Sequence, residues 1–246
     1  MSNDIKANKN TIGECVMLEY KNCCGIELIN SMDNDSIDLL LTDPPYNISR
    51  ENNFKTMGRS GIDFGEWDKD FDLYSWIAKS FPKIKKGGSL VIFNDWKNIG
   101  EIAKYAESLG FEIKDMLRWE KTNPMPRNRD RRYITDYETA VWLVKPKGKW
   151  VFNRLSASYD RPKLSYASPQ GKKRIHPTQK PIELLEELIL RHSNAGDLVV
   201  DPFAGSGSCY SAYHLTGRNF LGAEIDSEMY EKASKLLKED TTQSEQ

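Results

Sequence analysis

Ile37-Asp38-Leu39-Leu40-Leu41-Thr42-Asp43-Pro44-Pro45-Tyr46 decides the fold class of this chain. It opens as a short apolar run and is stopped by proline, the pattern of a strand buried in a parallel sheet. In open α/β sheets, ligands bind beyond the carboxyl ends of the strands. A carboxylate, two rigid prolines and an aromatic ring therefore stand together where such folds do chemistry. Asp43 can accept a hydrogen bond from an amino group, and the prolines leave their carbonyls free as acceptors. The face of Tyr46 can stack on a planar base. The set suits holding a nucleobase amino group still.

A second signal lies at the other end of the chain. Leu198-Val199-Val200 reads as another buried strand and runs into Asp201-Pro202-Phe203-Ala204-Gly205-Ser206-Gly207. Ser208 to Leu215 follows as a predicted helix. A strand, a Gly-x-Gly turn and a helix start make a nucleotide-type cofactor site, because glycine lets the backbone approach the ligand. A third apolar strand, Phe220 to Ala223, ends in Glu224, seventeen residues beyond Gly207. An acidic residue near that offset binds ribose hydroxyls.

With His176-Pro177-Thr178-Gln179-Lys180-Pro181 between them, these two motifs resemble those of the S-adenosylmethionine-dependent DNA amino-methyltransferases. The catalytic motif comes first and the glycine motif last, as in the beta group of that family. The resemblance runs over residues 14–239. It implies a Rossmann-like α/β fold: a mixed, mostly parallel sheet, helices on both faces and an antiparallel edge hairpin. It implies methyl transfer from S-adenosylmethionine to N6 of adenine in double-stranded DNA, with the base flipped out of the duplex.

On this resemblance Asp43, Pro44, Pro45 and Tyr46 are catalytic. Asp43 and the Pro44 carbonyl bind the amino hydrogens, and Tyr46 stacks on the extruded base. Asp201, Phe203, Ala204, Gly205, Ser206 and Gly207 shape the cofactor site, and Glu224 binds the ribose. Thr178 and Lys180 approach the methionine end, with Lys180 pairing its carboxylate. Family members often carry an aspartate after the first strand, near the cofactor; Cys23 stands at that position. A thiol does not replace a carboxylate as an acceptor. The resemblance also allows a homodimer and a cognate restriction endonuclease as partners.

Three other readings stay open. Aspartate at the head of the first motif points to adenine, since family members acting on cytosine more often carry serine there; N4-cytosine or RNA amino-methylation is the alternative. Cys23 is the support for a nucleic-acid-binding homologue with a vestigial site. A nicotinamide dehydrogenase fits poorly, because the turn lacks that fingerprint's third glycine.

The 246 residues suffice for one substantial core. We expect one domain over 1–246: a catalytic part at 14–145, a target-recognition insert at 145–175 and a cofactor-binding part at 176–239. No apolar stretch reaches membrane-spanning length and no signal peptide precedes the first strand, so a cytoplasmic protein is expected. The four cysteines lack zinc-ligand spacing, and no metal site is predicted. The formal charge of −1 hides an asymmetry. Residues 118–182 carry 16 Lys/Arg against 5 Asp/Glu, so the rest of the chain is strongly acidic. A basic stretch in an acidic protein points to a polyanion site. Within it, Arg127, Arg129, Arg131 and Arg132 surround prolines and a tyrosine, and Lys172, Lys173 and Arg174 lead into the His176 motif. Both clusters are candidate phosphate clamps.

Between the motifs, Leu73 to Lys85 reads as a helix closed by Gly87-Gly88, and Asn98 to Leu109 as a helix stopped by Gly110. Glu112 to Lys121 and Glu138 to Lys145 read as a pair of strands. Pro181 to His192 is an amphipathic helix. Asn47 to Asp72 is long and polar and is read as a flap over the substrate.

Overall fold

The computed structural model describes residues 5–6, 17–46, 71–126, 129–171, 179–208, 212 and 216–243. Its strands are β1 (Ile5–Lys6), β2 (Leu18–Asn22), β3 (Ile37–Thr42), β4 (Ile84–Asn94), β5 (Glu112–Lys121), β6 (Tyr137–Val144), β7 (Lys163–Tyr166), β8 (Leu198–Asp201) and β9 (Asn219–Glu224). Its helices are α1 (Gly25–Ser31), α2 (Ser75–Ser80), α3 (Trp96–Ser108), α4 (Ile182–His192) and α5 (Ser227–Gln243). The strands make one sheet in the order β1-β2-β9-β8-β3-β4-β6-β5-β7. From β2 to β4 all pairings are parallel; β6 pairs antiparallel with both β4 and β5.

Alternation along the strands explains how helices cover both faces. Leu39, Leu41, Val91, Phe93, Val199 and Phe220 point into one apolar cluster with Leu184, Leu185, Leu188 and Ile189 of α4 and Ala233 of α5. Leu40, Leu90, Ile92, Val200 and Leu221 point the other way, onto Leu28 and Ile29 of α1, Trp76 and Ile77 of α2 and Ile99 and Ile102 of α3. Neighbouring residues on each central strand are both buried, which is why these strands read as continuous apolar runs.

Two elements differ from expectation. The helix expected over 73–85 is confined to α2, and Ile84 already belongs to β4. The carbonyls of Pro82 and Lys83 accept from the main-chain N–H of Asp35, Ser36 and Ile37, and Ile84 pairs with Ile37. Sheet pairing has overridden local helix propensity. The expected hairpin of β5 and β6 forms, but β7 adds a further strand outside it, parallel to β5. Lys163–Tyr166 is short and only half apolar, so its alternation was too brief to stand out. Of the helix expected over 208–215, Ser208 and Ala212 are helical and the rest lies outside the described residues.

Topology also decides which residues reach the functional edge. Strand β6 runs against β4, so its first residues lie beside the end of β4, with Thr139 opposite Asn94. Strand β5 runs against β6, so its last residues join them, with Trp119 opposite Glu138. The hairpin thereby delivers Glu138 and Lys121 to the edge where β3, β8 and β9 end.

At the end of α4, His192 is only 2% exposed. Its ring lies 4.5 Å from that of Trp142 and 5.9 Å from that of Phe152. Neither ring nitrogen has a hydrogen-bond partner among the described residues. Burial, with Arg191 beside it, pushes its pKa down to about 3.

Candidate active site

A cavity of about 530 Å³ opens beyond the ends of β3, β8 and β9. Ligand sites span roughly 300–1,000 Å³. Leu41, Thr42, Asp43 and Pro45 line it from β3, and residues 201–206 from the turn after β8. Ala223 to Asp226 line it from β9 and Cys24 to Ile26 from the start of α1. Gln179 and Lys180 close it from the segment leading into α4.

The turn after β8 is held by buried polar bonds. Thr42 Oγ1 donates to Asp201 Oδ1 at 2.7 Å, and the same oxygen accepts from Phe203 N at 3.1 Å. Asp201 therefore ties the end of β3 to the end of β8. Gly205 and Gly207 have φ of 52° and 71°, the left-handed region in which glycine avoids the Cβ clash. Tyr20 Oη donates to the Gly205 carbonyl at 2.7 Å. On the other side, Gly25 presses so close that a Cβ there would lie 1.9 Å from the Pro202 carbonyl oxygen. Phe203 stands edge-on to both Phe71 and Trp76, with ring centroids 5.4 Å apart in each case.

Glu224 ends β9 at the cavity wall. Its Oε1 accepts from Asp226 N at 2.7 Å. Burial raises its carboxyl pKa, partly offset by main-chain N–H groups that favour the charged form.

At the mouth, Asp43 is bonded through both carboxylate oxygens. Tyr46 Oη donates to Oδ1 and Lys180 Nζ to Oδ2. Lys180 is only 4% exposed and also pairs with Glu138 at 3.0 Å. Glu138 pairs in turn with Lys121 at 2.7 Å. Burial opposes charge on Lys180, but the two carboxylates outweigh it and hold its pKa above the ordinary lysine value. Burial likewise opposes charge on Glu138, and the two lysines still hold its carboxyl below the ordinary value. Withdrawal from water, and then Asp43, push the Tyr46 phenol well up, so it remains a donor. Asn98 Nδ2 donates to the Tyr46 carbonyl at 2.8 Å and to Asn94 Oδ1 at 2.8 Å, which locks the motif onto the start of α3.

A family model described as DNA methylase matches residues 37–235. The chain belongs to the DNA methylase family. The methylase is 33% identical over 256 aligned residues to the type II methyltransferase M.HinfI of Haemophilus influenzae, across 94% of this chain and 71% of that protein. It is 31% identical to the type II methyltransferase M2.MboI of Moraxella bovis, across 90% and 88% of the two chains. Among solved structures, the M1.HpyAVI–SAM complex superposes with a TM-score of 0.74 at 34% identity, covering 90% of this chain and 99% of that one. The cytosine-N4-specific PvuII DNA methyltransferase shares the fold, with a TM-score of 0.70 at 19% identity and coverage of 88% and 84%.

The methylase thus brings Asp43, Pro45, Lys180, Asp201, Phe203, Ala204, Gly205, Ser206 and Glu224 to one cavity. Pro44 and Tyr46 flank it in the chain, and Gly207 closes the turn behind it. Cys23 packs partly into the apolar cluster beneath the sheet, and its neighbour Cys24 lines the cavity. Lys180, which the resemblance assigns to the cofactor's carboxylate, has its ammonium on Asp43 and Glu138. Arg129, Arg131 and Arg132 are exposed on the loop between β5 and β6. Arg127, Lys172, Lys173, Arg174, Thr178 and residues 47–70 of the expected flap lie outside the described residues. Glu138, Lys121 and Asn98 were missed by sequence reasoning. Each is a single polar residue inside or beside a regular element, and only the tertiary pairing of strands makes them neighbours. Gly25 was legible in principle, as a glycine opening a helix, but its partner Pro202 is 177 residues away.

Proposed function

We propose that this methylase transfers a methyl group from S-adenosylmethionine to the exocyclic N6 amino group of adenine in double-stranded DNA. What supports the reading is one arrangement: Asp43, ending the β3 motif, stands at the mouth of the cavity shaped by the glycine turn. The lining residues include four carboxylates, Asp43, Asp201, Glu224 and Asp226, and one ammonium, Lys180. That balance fits a ligand with a cationic centre, and the volume fits one of cofactor size. The cofactor would be held by the Phe203–Ser206 turn, with Glu224 at its ribose. It supplies a methyl group already activated on a sulfonium.

The protein's task is then alignment and charge placement rather than covalent catalysis. An amino nitrogen conjugated to a base is a poor nucleophile. Asp43 and the Pro44 carbonyl accept its hydrogens and stabilise the positive charge that develops on nitrogen during transfer. Tyr46 stacks on the flipped base, its main chain fixed by Asn98. Asp43 then takes the released proton or passes it to water. Aspartate at the head of the motif supports adenine over cytosine. The test is expression in a bacterial host devoid of DNA methylation, with its DNA hydrolysed to nucleosides and read by mass spectrometry. N6-methyladenine is expected; N4-methylcytosine overturns the base assignment, and an unmethylated genome overturns the activity.

Two further predictions arise here. Gly25→Ala must push the Pro202 carbonyl, and with it the turn. Overpacking of this kind costs about 1–3 kcal/mol; if the turn bears that cost on binding, titration calorimetry should record S-adenosylmethionine binding weakened by about fivefold or more. Arg129, Arg131 and Arg132 are proposed to contact DNA phosphates. Each neutralised arginine is expected to flatten the log–log salt slope of DNA binding by about one unit. An unchanged slope in the triple variant, read by fluorescence anisotropy, removes the loop from the interface.

A further inference from the structure

Asp43, Lys180, Glu138 and Lys121 form an alternating chain of four charges, with Nζ–O distances of 3.0 Å for Lys180–Glu138 and 2.7 Å for Lys121–Glu138. The proposed function uses only its first member, yet the other three approach from separate elements. Lys180 precedes α4, Glu138 begins β6 and Lys121 ends β5. Lys180 is buried, while Glu138 and Lys121 are half-buried, so holding the ammonium here costs desolvation that ion pairs seldom repay as stability alone.

The inference rests on the function proposed above. If Asp43 stabilises positive charge growing on the target nitrogen, an ammonium on the same carboxylate opposes it. Lys180 bonds Asp43 Oδ2, a few ångströms from where that nitrogen must sit. A like charge at that range weakens the carboxylate's field where the reaction needs it. Lys180 has a second carboxylate within reach, so its charge can shift without becoming buried and unpaired. We propose that Glu138 is a positioning residue, which draws the Lys180 ammonium away from Asp43 as the target amino group arrives. Lys121 competes with Lys180 for Glu138 and sets how hard it pulls. Two aromatic faces flank the ammonium as well: Lys180 Nζ lies 5.7 Å from the Tyr46 ring centroid and 5.0 Å from that of Phe93. Aromatic faces tolerate a cation between two sites.

The opposite signs expected for the two outer residues separate this role from scaffolding. The experiment is steady-state methyl transfer to duplex DNA by wild type, Glu138→Gln, Glu138→Asp and Lys121→Met, with S-adenosylmethionine binding followed by calorimetry. Glu138→Gln should lower kcat about tenfold, while the KM for DNA and cofactor affinity stay within about threefold, as for an interaction felt only in the transition state. Glu138→Asp should recover part of the loss. Lys121→Met should raise kcat about twofold, since Glu138 then serves Lys180 alone. Unchanged kcat in Glu138→Gln overturns the proposal. So does joint loss of kcat and cofactor affinity in that variant, or a parallel fall in Lys121→Met; either makes the chain structural. Wild-type protein that binds cofactor but methylates no DNA defeats the proposed function itself, and this role with it.

Discussion

Asp43→Ala is expected to lower methyl transfer by about a thousandfold while S-adenosylmethionine binding stays within a few-fold. A positioned carboxylate that both stabilises developing charge and receives the proton is worth about 10²–10⁴ in rate. The variant should still fold. Its removal leaves Lys180 paired with Glu138, so no buried charge is orphaned. The cofactor turn is held independently, by Thr42 on Asp201 and Tyr20 on Gly205. Asp43→Asn keeps an acceptor oxygen but loses the charge, and we expect it to resemble Asp43→Ala in kcat. An Asn variant within tenfold of wild type would mean that hydrogen bonding alone suffices. Radiolabel transfer and calorimetry on the same preparations check both halves.

The second large effect is on stability. His192 keeps its ring neutral in the folded state, with a pKa of about 3 against the ordinary histidine value of 6.5. Above pH 6.5 neither state is charged and the residue is neutral to folding. As pH falls below 6.5 the unfolded chain binds a proton that the folded chain refuses. Stability therefore drops progressively towards pH 3 and below, by about 2 kcal/mol at pH 5 relative to pH 8 and on the order of 5 kcal/mol in full. His192→Leu removes this slope and relieves two unpartnered buried nitrogens. Urea denaturation at pH 8 and pH 5 should show wild type losing about 2 kcal/mol more than the variant between the two. Equal losses would mean that the ring gains a partner or opens to water at acid pH.

The order of motifs and the apolar runs carried most of the fold. β3, β8 and β9 are largely apolar runs because both faces of the sheet are covered, and each ends at or leads directly into a carboxylate that lines the cavity. α4 was legible from Leu185, Leu188 and Ile189 at helical spacing. The failures were tertiary. Nothing local in Pro82–Lys85 says that its carbonyls will be claimed by residues 35–37, or that Ile84 will pair with Ile37. The same holds at the site. Asp43 was found because it directly follows a strand and Glu224 because it ends one, whereas Glu138 lies at the start of a strand that happens to run backwards. A residue at the beginning of a strand sits at the functional edge only when that strand is antiparallel, and the sheet order is not written in any one segment.

Asp43, at the mouth of this cavity, is proposed to direct a methyl group onto an adenine amino nitrogen. The measurement that tests it most directly is single-turnover transfer from methyl-labelled S-adenosylmethionine to mixed-sequence duplex DNA, with wild type and Asp43→Ala side by side and the labelled nucleoside identified by mass spectrometry. Label is expected in N6-methyladenine with wild type, and at a rate about a thousandfold lower with the variant. Label in another nucleoside, or equal transfer by both proteins, would contradict it.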